Sequence, residues 1–180
     1  YDIGITIIGQ SYLPFTQGRG ATLIVQNKPC IVVTDFRKDY GTLWFALMHE
    51  IAHVLYHFDK IKSYSYHLSD DQDRMLIEDE ANYFARELLI SEEKLNYIES
   101  LIGSPQVVKR YARKHDIHPS LIYSFHAYRL YTKENDKKAY AKYNKNMISS
   151  EGAIEALRCH PWENEKVIDD IDKTINQLKQ

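Results

Sequence analysis

The chain has 180 residues, with Lys+Arg 23 against Asp+Glu 25 and a formal net charge of −2, which excludes a domain that grips nucleic acid by charge alone. Hydrophobic residues make up 44% and charged residues 27%, with only Gly 7 and Pro 5, so collagen-like and wholly disordered chains are excluded as well. That length can bury a real core without covalent staples.

From the N-terminus, residues 1–13 mix β-branched residues with glycine and run to Pro14, so an extended or a short helical start both fit. Residues 21–34 predict two strands around a turn at 27–29, because both arms are rich in β-branched residues and the middle is turn chemistry. Asp39, Tyr40 and Gly41 punctuate before a long apolar helix over 42–58, whose seam runs Leu43, Leu47, Ile51, Val54 and Phe58. At about 1.5 Å per residue this helix is about 25 Å long, short of a hydrocarbon core of roughly 30 Å. It also holds His49, Glu50, His53 and His57, so it reads as a buried helix rather than a membrane span.

Residues 59–71 are polar and read as a loop. A second helix is predicted over about 73–90, and Ser91-Glu92-Glu93 reads as the cap and first turn of a third. Gly103-Ser104-Pro105 breaks that helix and opens the next, which runs to about His115. Residues 117–120 form a turn, and 120–131 are helical again. Residues 133–145 are highly charged and read as a solvated linker or exposed helix. A short helix over 151–158, a break at Pro161 and a helix from about Glu165 complete the chain. Cys30 and Cys159 make no metal-type pair, and a disulfide framework is not expected, so a reducing, cytoplasmic compartment is the simpler reading. The chain opens on no basic leader before an apolar run. It begins at Tyr1 rather than Met, which fits an upstream domain having been cut away.

The chemistry concentrates in His49-Glu50-Ile51-Ala52-His53, an H-E-x-x-H inside the long helix. Residues four apart share a helix face, so His49 and His53 can hold one metal ion, and Glu50 beside them can act as general base. Glu50 is the only acid in an apolar helix, and a metal nearby would account for a carboxylate there. A catalytic metal needs a third protein ligand. His57 lies about 12 Å along the axis from His49, beyond reach of the same ion, and reads as a helix-end residue or one that supports a ligand from behind. The second helix offers Glu78, Asp79, Glu80 and Glu87. Spacing modestly favours Glu78, since Asn82 one turn on shares its face and can steady a ligating histidine. Glu80 lies about 200° round the helix from Glu78, so the two cannot both face the ion.

The stretch from Trp44 to His57, followed by Glu78-Asp-Glu-Ala81-Asn82-Tyr-Phe84-Ala85-Arg-Glu-Leu88-Leu89, resembles the ImmA/IrrE-type metallopeptidases. That family pairs H-E-x-x-H with E-x-x-A-N-x-F-A-x-x-L-L. The likeness spans about residues 20–131 and includes Lys28-Pro29-Cys30-Ile31. Residues 107–120 are similar to a helix-turn-helix-like tail. One departure is Ser91 after Ile90, where the family often has proline, which affects a helix boundary and not the chemistry. The resemblance implies one zinc ion per chain held by His49, His53 and Glu78, with Glu50 as base and Asn82 in support. It also implies a protein substrate: a repressor or antitoxin in a bacterial or phage stress circuit. Several members carry an upstream DNA-binding domain, through which nucleic acid would be reached; direct contact by this segment and membrane contact are not expected.

The expected fold is α+β and mainly helical, with a small twisted sheet on a zincin-like H-E-x-x-H helix, a second ligand helix and a helical tail. The expected domains are a metallopeptidase unit over 1–131, with the tail at about 104–131, and a charged linker plus helical extension over 132–180. The expected activity is zinc-dependent cleavage of a specific intracellular regulator, with the substrate strand paired to an exposed sheet edge and the 59–71 loop as a lid. The rival is a sensory or partner-binding module that retains the fold without proteolysis. His115, His118, His126 and Tyr123 stand as candidates for the group that steadies the reaction's oxyanion. Lys109, Arg110, Arg113, Lys114 and Arg129 are the basic residues of the tail, for which packing over the active-site helices is preferred to DNA contact.

Overall fold

The computed structural model describes residues 4–12, 18–63 and 72–157. The fold is α+β and mainly helical, with one small mixed sheet. Strands β1 (Thr6–Gln10), β2 (Gly20–Val25) and β3 (Lys28–Thr34) lie in the order β1-β3-β2. β2 and β3 form the predicted hairpin, with Val25 opposite Lys28, but the turn falls earlier than the expected 27–29, because Lys28 and Pro29 already pair as part of β3. Its two-residue loop, Gln26-Asn27, has φ of 50 and 63, the left-handed pair that follows the twist of a hairpin. β1 runs parallel to β3, pairing Thr6 with Cys30 through Gln10 with Thr34. Pro29 therefore sits just outside the β1 ladder, where its missing N–H costs nothing.

Helix α1 (Tyr40–Tyr56) crosses the sheet and is the hub of the molecule. Leu43 and Leu47 pack with Ile31 and Val33 of β3 and with Ile154. Trp44 touches this cluster and also the helical one built around Ile98, Val108 and Ile122. The helical layer comprises α3 (Gln72–Leu89), α4 (Glu92–Glu99), α5 (Pro105–Lys114) and α6 (Pro119–Lys133), close to the predicted bounds. Ser91 caps α4 by accepting from the Lys94 N–H, as its sequence indicates. Residues 121–127 of α6 are all buried, so that helix is committed to packing. Lys109, Arg110, Arg113 and Lys114 stay exposed on α5.

Two readings are corrected. Residues 59–71 are not all loop: α2 (Phe58–Ser63) follows α1 almost directly, with the Ile61 N–H donating to the His57 carbonyl. Phe58 and Ile61 are three apart and share a face, which the lysines and Asp59 around them obscure in sequence. Residues 64–71 lie outside the described residues, so the lid expectation is not addressed there. Residues 133–145 are not a solvated linker throughout: α7 (Ala139–Tyr143) places Ala139 and Tyr143 in the core against α6. The lysines face water while two residues four apart turn inward. α8 (Glu151–Leu157) lies on β1, so close that a Cβ at Gly9 would meet the Ile154 carbonyl oxygen at 2.8 Å. The break at Pro161 and the helix from Glu165 lie outside the described residues. Among the described residues no helix is long and apolar enough to cross a membrane.

The start of α1 is tied by Asp39. Its carboxylate accepts from the Thr42 N–H at 2.8 Å and from the Ser124 hydroxyl of α6, also at 2.8 Å. Gly41 lets α6 come this near: a Cβ there would lie 2.4 Å from the Ser124 side chain. Asp39→Ala removes a cap and orphans a buried hydroxyl, so urea denaturation is expected to show a loss of about 1–3 kcal/mol. Gly41→Ala is expected to cost a similar amount through overpacking.

Candidate metal centre

α1 presents its histidines toward α3. His49 and His53 are one turn apart, and their Nε2 atoms lie 3.0 Å from each other. Glu78 of α3 completes a triangle, with Oε2 at 3.1 Å from His49 Nε2 and Oε1 at 3.4 Å from His53 Nε2. Donors held about 2.0–2.1 Å from a tetrahedral ion such as zinc lie about 3.3–3.4 Å apart, so these three side chains fit a metal ion. Among the described residues no other group of three His, Cys, Asp or Glu side chains converges in this way. Hydrogen bonds from the two histidines hold the Glu78 carboxyl well below its usual range. The favoured third-ligand candidate is thus brought to the histidines.

The other acids of α3 go elsewhere. Glu80, round the far side of the helix, accepts from His57 Nε2 at 2.9 Å. His57 Nδ1 in turn lies 3.1 Å from His53 Nδ1. One tautomer set satisfies the chain: His53 donates from Nδ1 to His57, and His57 donates from Nε2 to Glu80. In that tautomer His53 Nε2 carries no proton, so it would offer a lone pair to an ion in place of its hydrogen bond to Glu78. His57, 3% exposed, is the support from behind that its spacing allowed. Asn82 lines the same cleft one turn beyond Glu78.

Glu50 points to the opposite side of the cleft, where β2 covers it. The Thr22 hydroxyl donates to Glu50 Oε2 at 2.7 Å. A Cβ at Gly20 would sit 2.9 Å from Glu50 Cγ and Oε1, so the strand reaches this carboxylate only because residue 20 is glycine. Burial pushes the Glu50 carboxyl above its usual range, opposed by the Thr22 hydrogen bond and by the two histidines. The buried charge therefore has a partner in the chain itself, on a strand the sequence offered no way to place beside it. Thr22 and Gly20 were missed for that reason. Arg19 was missed as well; it lines the cleft beside them.

The four oxyanion candidates from the tail do not line this cleft. His126 is held by Glu99 Oε1 at 2.9 Å and the Tyr143 hydroxyl at 3.1 Å. His118 caps α6 through Nδ1, His115 packs on Tyr111, and the Tyr123 hydroxyl is buried in the helical core. Arg129 is engaged by Glu92 and Glu99. For His126 and Arg129 the polarity in sequence reflects pairing inside the helical layer.

Two histidines and a glutamate from crossing helices, beside a buried second glutamate in an open cleft, define a metallohydrolase-type site. Residues 4–117 match the family model Peptidase_M78, described as the IrrE N-terminal-like domain, and the chain belongs to this metallopeptidase family. The match agrees with the resemblance read from its motifs. No curated protein and no solved structure gives a significant match.

Metal binding should be read first on stability. Metal at a hundredfold excess over its Kd should stabilise the fold by about 2.7 kcal/mol, and a chelator should reverse the shift in Tm. Glu78→Ala should abolish that shift. His57→Leu leaves the ligands in place but removes the orienting partner of His53, so calorimetric titration should show metal affinity lower by about 10–100-fold.

Proposed function

We propose that this chain is a zinc-dependent endopeptidase that cuts a specific regulatory protein, a transcriptional repressor or antitoxin, in the cytoplasm of the cell that makes it. The observation that supports it best is the pairing of a three-donor site with Glu50, because a purely structural metal site has no use for a buried, polarised carboxylate beside it. Zinc held by His49, His53 and Glu78 would supply Lewis-acid activation of water and of the scissile carbonyl. Glu50 has one oxygen, Oε2, fixed by Thr22, which leaves Oε1 to take a proton and return it to the leaving amine. Burial raises its pKa above the ordinary carboxylate range, which favours accepting a proton.

β2 is an edge strand among the described residues, and Gly20, Ala21 and Thr22 line the cleft. Its free backbone groups can hold an extended peptide by strand pairing, which orders the substrate across Glu50. Confinement to a regulator follows from the compartment: an unrestricted peptidase would attack the cell's own proteins, so recognition has to come from contacts beyond the scissile bond. The target class rests on the family's resemblance to peptidases of stress circuits.

Glu50→Gln is nearly isosteric and should keep both the fold and the metal, while cleavage falls by about 10²–10⁴-fold. Gly20→Ala should also lower turnover, because the new methyl displaces the Glu50 carboxylate. The assay pairs metal-loaded protein with casein and with the product of the adjacent regulatory gene. Selective cleavage of the regulator, lost in Glu50→Gln, is the expected result. Equal behaviour of wild type and Glu50→Gln toward the regulator, or rapid casein digestion with the regulator intact, would overturn the reading.

A further inference from the structure

A second cavity adjoins the cleft. Arg19 and Phe45 line both. Its remaining wall carries Arg37, from the turn before α1, and Arg86, from α3, with Tyr128 and Tyr140 alongside. The cavity measures about 60 Å³, several times the roughly 10–15 Å³ that one water needs. It has room for one small polar group and not for a large ligand.

Three arginines from three separate segments line the cavity, and none has a carboxylate partner among the described residues. The arginine ion pairs of the described residues all belong to Arg129. Arg19, Arg37 and Arg86 instead lie over rings: Arg19 over Phe36 at 5.7 Å, Arg37 over Tyr140 at 4.8 Å, and Arg86 over Tyr128 at 5.7 Å. Asp39, which precedes the Gly41 and Thr42 of the cavity wall, has its two oxygens taken by Thr42 and Ser124. An arginine stacked on an aromatic face keeps its in-plane N–H groups free, and those groups match a carboxylate. Arg37 is also held with φ 64 and Lys38 with φ 50, a left-handed pair that strains non-glycine residues and recurs at ligand sites. Three like charges in a concave, aromatic-walled space, with Asp39 already engaged by Thr42 and Ser124, create a field that favours an anion.

We propose that this cavity is a specificity subsite that takes an acidic side chain, Asp or Glu, of the peptide lying in the cleft. The source of the anion rests on the peptidase reading; the anion site itself does not. Arg19 connects the two spaces, so a chain paired with β2 is placed to turn one side chain toward Arg37 and Arg86.

The test uses the full chain carrying Glu50→Gln, metal-loaded, with fluorescent, end-blocked octapeptide pools. Each pool fixes Asp, Glu, Asn or Gln at one position. At one position the acidic pools are expected to bind about tenfold or more tighter than their amides, as charge-assisted pairing requires. Arg37→Gln and Arg86→Gln, each first shown to keep its Tm, should bring that ratio close to one. No acidic preference, or a preference that both variants retain, overturns the proposal. Inorganic phosphate is titrated separately. Saturable phosphate binding lost in Arg37→Gln, with no preference among the peptides, would mean a site for a free anion and would also overturn it. Cleavage by the wild-type chain separates the two readings. Peptides cut without acidic preference leave the peptidase reading standing and this one fallen, whereas acidic preference without any cleavage does the reverse.

Discussion

A polar stripe on a buried helix is the constraint from which this structure follows. α1 is apolar along most of its length, yet Glu50, His53 and the His57 that caps its end are buried. Each of these groups needs a partner within hydrogen-bond reach, because burying it unpaired costs several kcal/mol. The partners come from different directions: Thr22 from the hairpin, Glu78 and Glu80 from α3. Satisfying them fixes both the strand that covers one side of α1 and the rotation of the helix that covers the other. The cleft is the gap left between those two covers.

That arrangement separates two carboxylates in behaviour. Glu78, half exposed and hydrogen-bonded by two imidazoles, is held ionised. Glu50, buried under β2 with a single hydroxyl donor, is pushed toward the protonated form. Two acids in one cleft whose environments drive them apart are suited to different tasks, one to stay charged and one to exchange a proton. The His53-His57-Glu80 relay adds rigidity on the side away from the cleft, fixing which nitrogen of His53 is available.

The far end of α1 is set by a different device. Asp39 joins the helix start to Ser124, and Tyr40 accepts a place beside residues 148–150 through its N–H to the Ile148 carbonyl. The C-terminal segment is thereby drawn past the helix start and delivers α8 to β1. The turn that carries Arg37 lies between β3 and this joint. The arginine-lined cavity therefore sits where that turn meets α1, α3, α6 and α7.

The sequence by itself determined the long helices, the two arms of the hairpin and the face of α1 that carries the histidines, but not α2 or the inward face of α7. These depend on periodicity and caps within a few positions of each other, such as Ser91 before α4. His57 could be excluded as a ligand by helix geometry alone. Whole-chain packing decided the rest. Nothing local to Thr22 or Gly20 points to Glu50, 28 and 30 residues on, because the contact exists only once the hairpin lies against α1. The same holds for Tyr143 and His126, whose polar character in sequence hides an interior bond, and for three arginines that become one site only when a turn and two distant segments converge. Spacing along a chain encodes what shares a helix face; which faces meet is settled by burial and by the pairing of charges across elements.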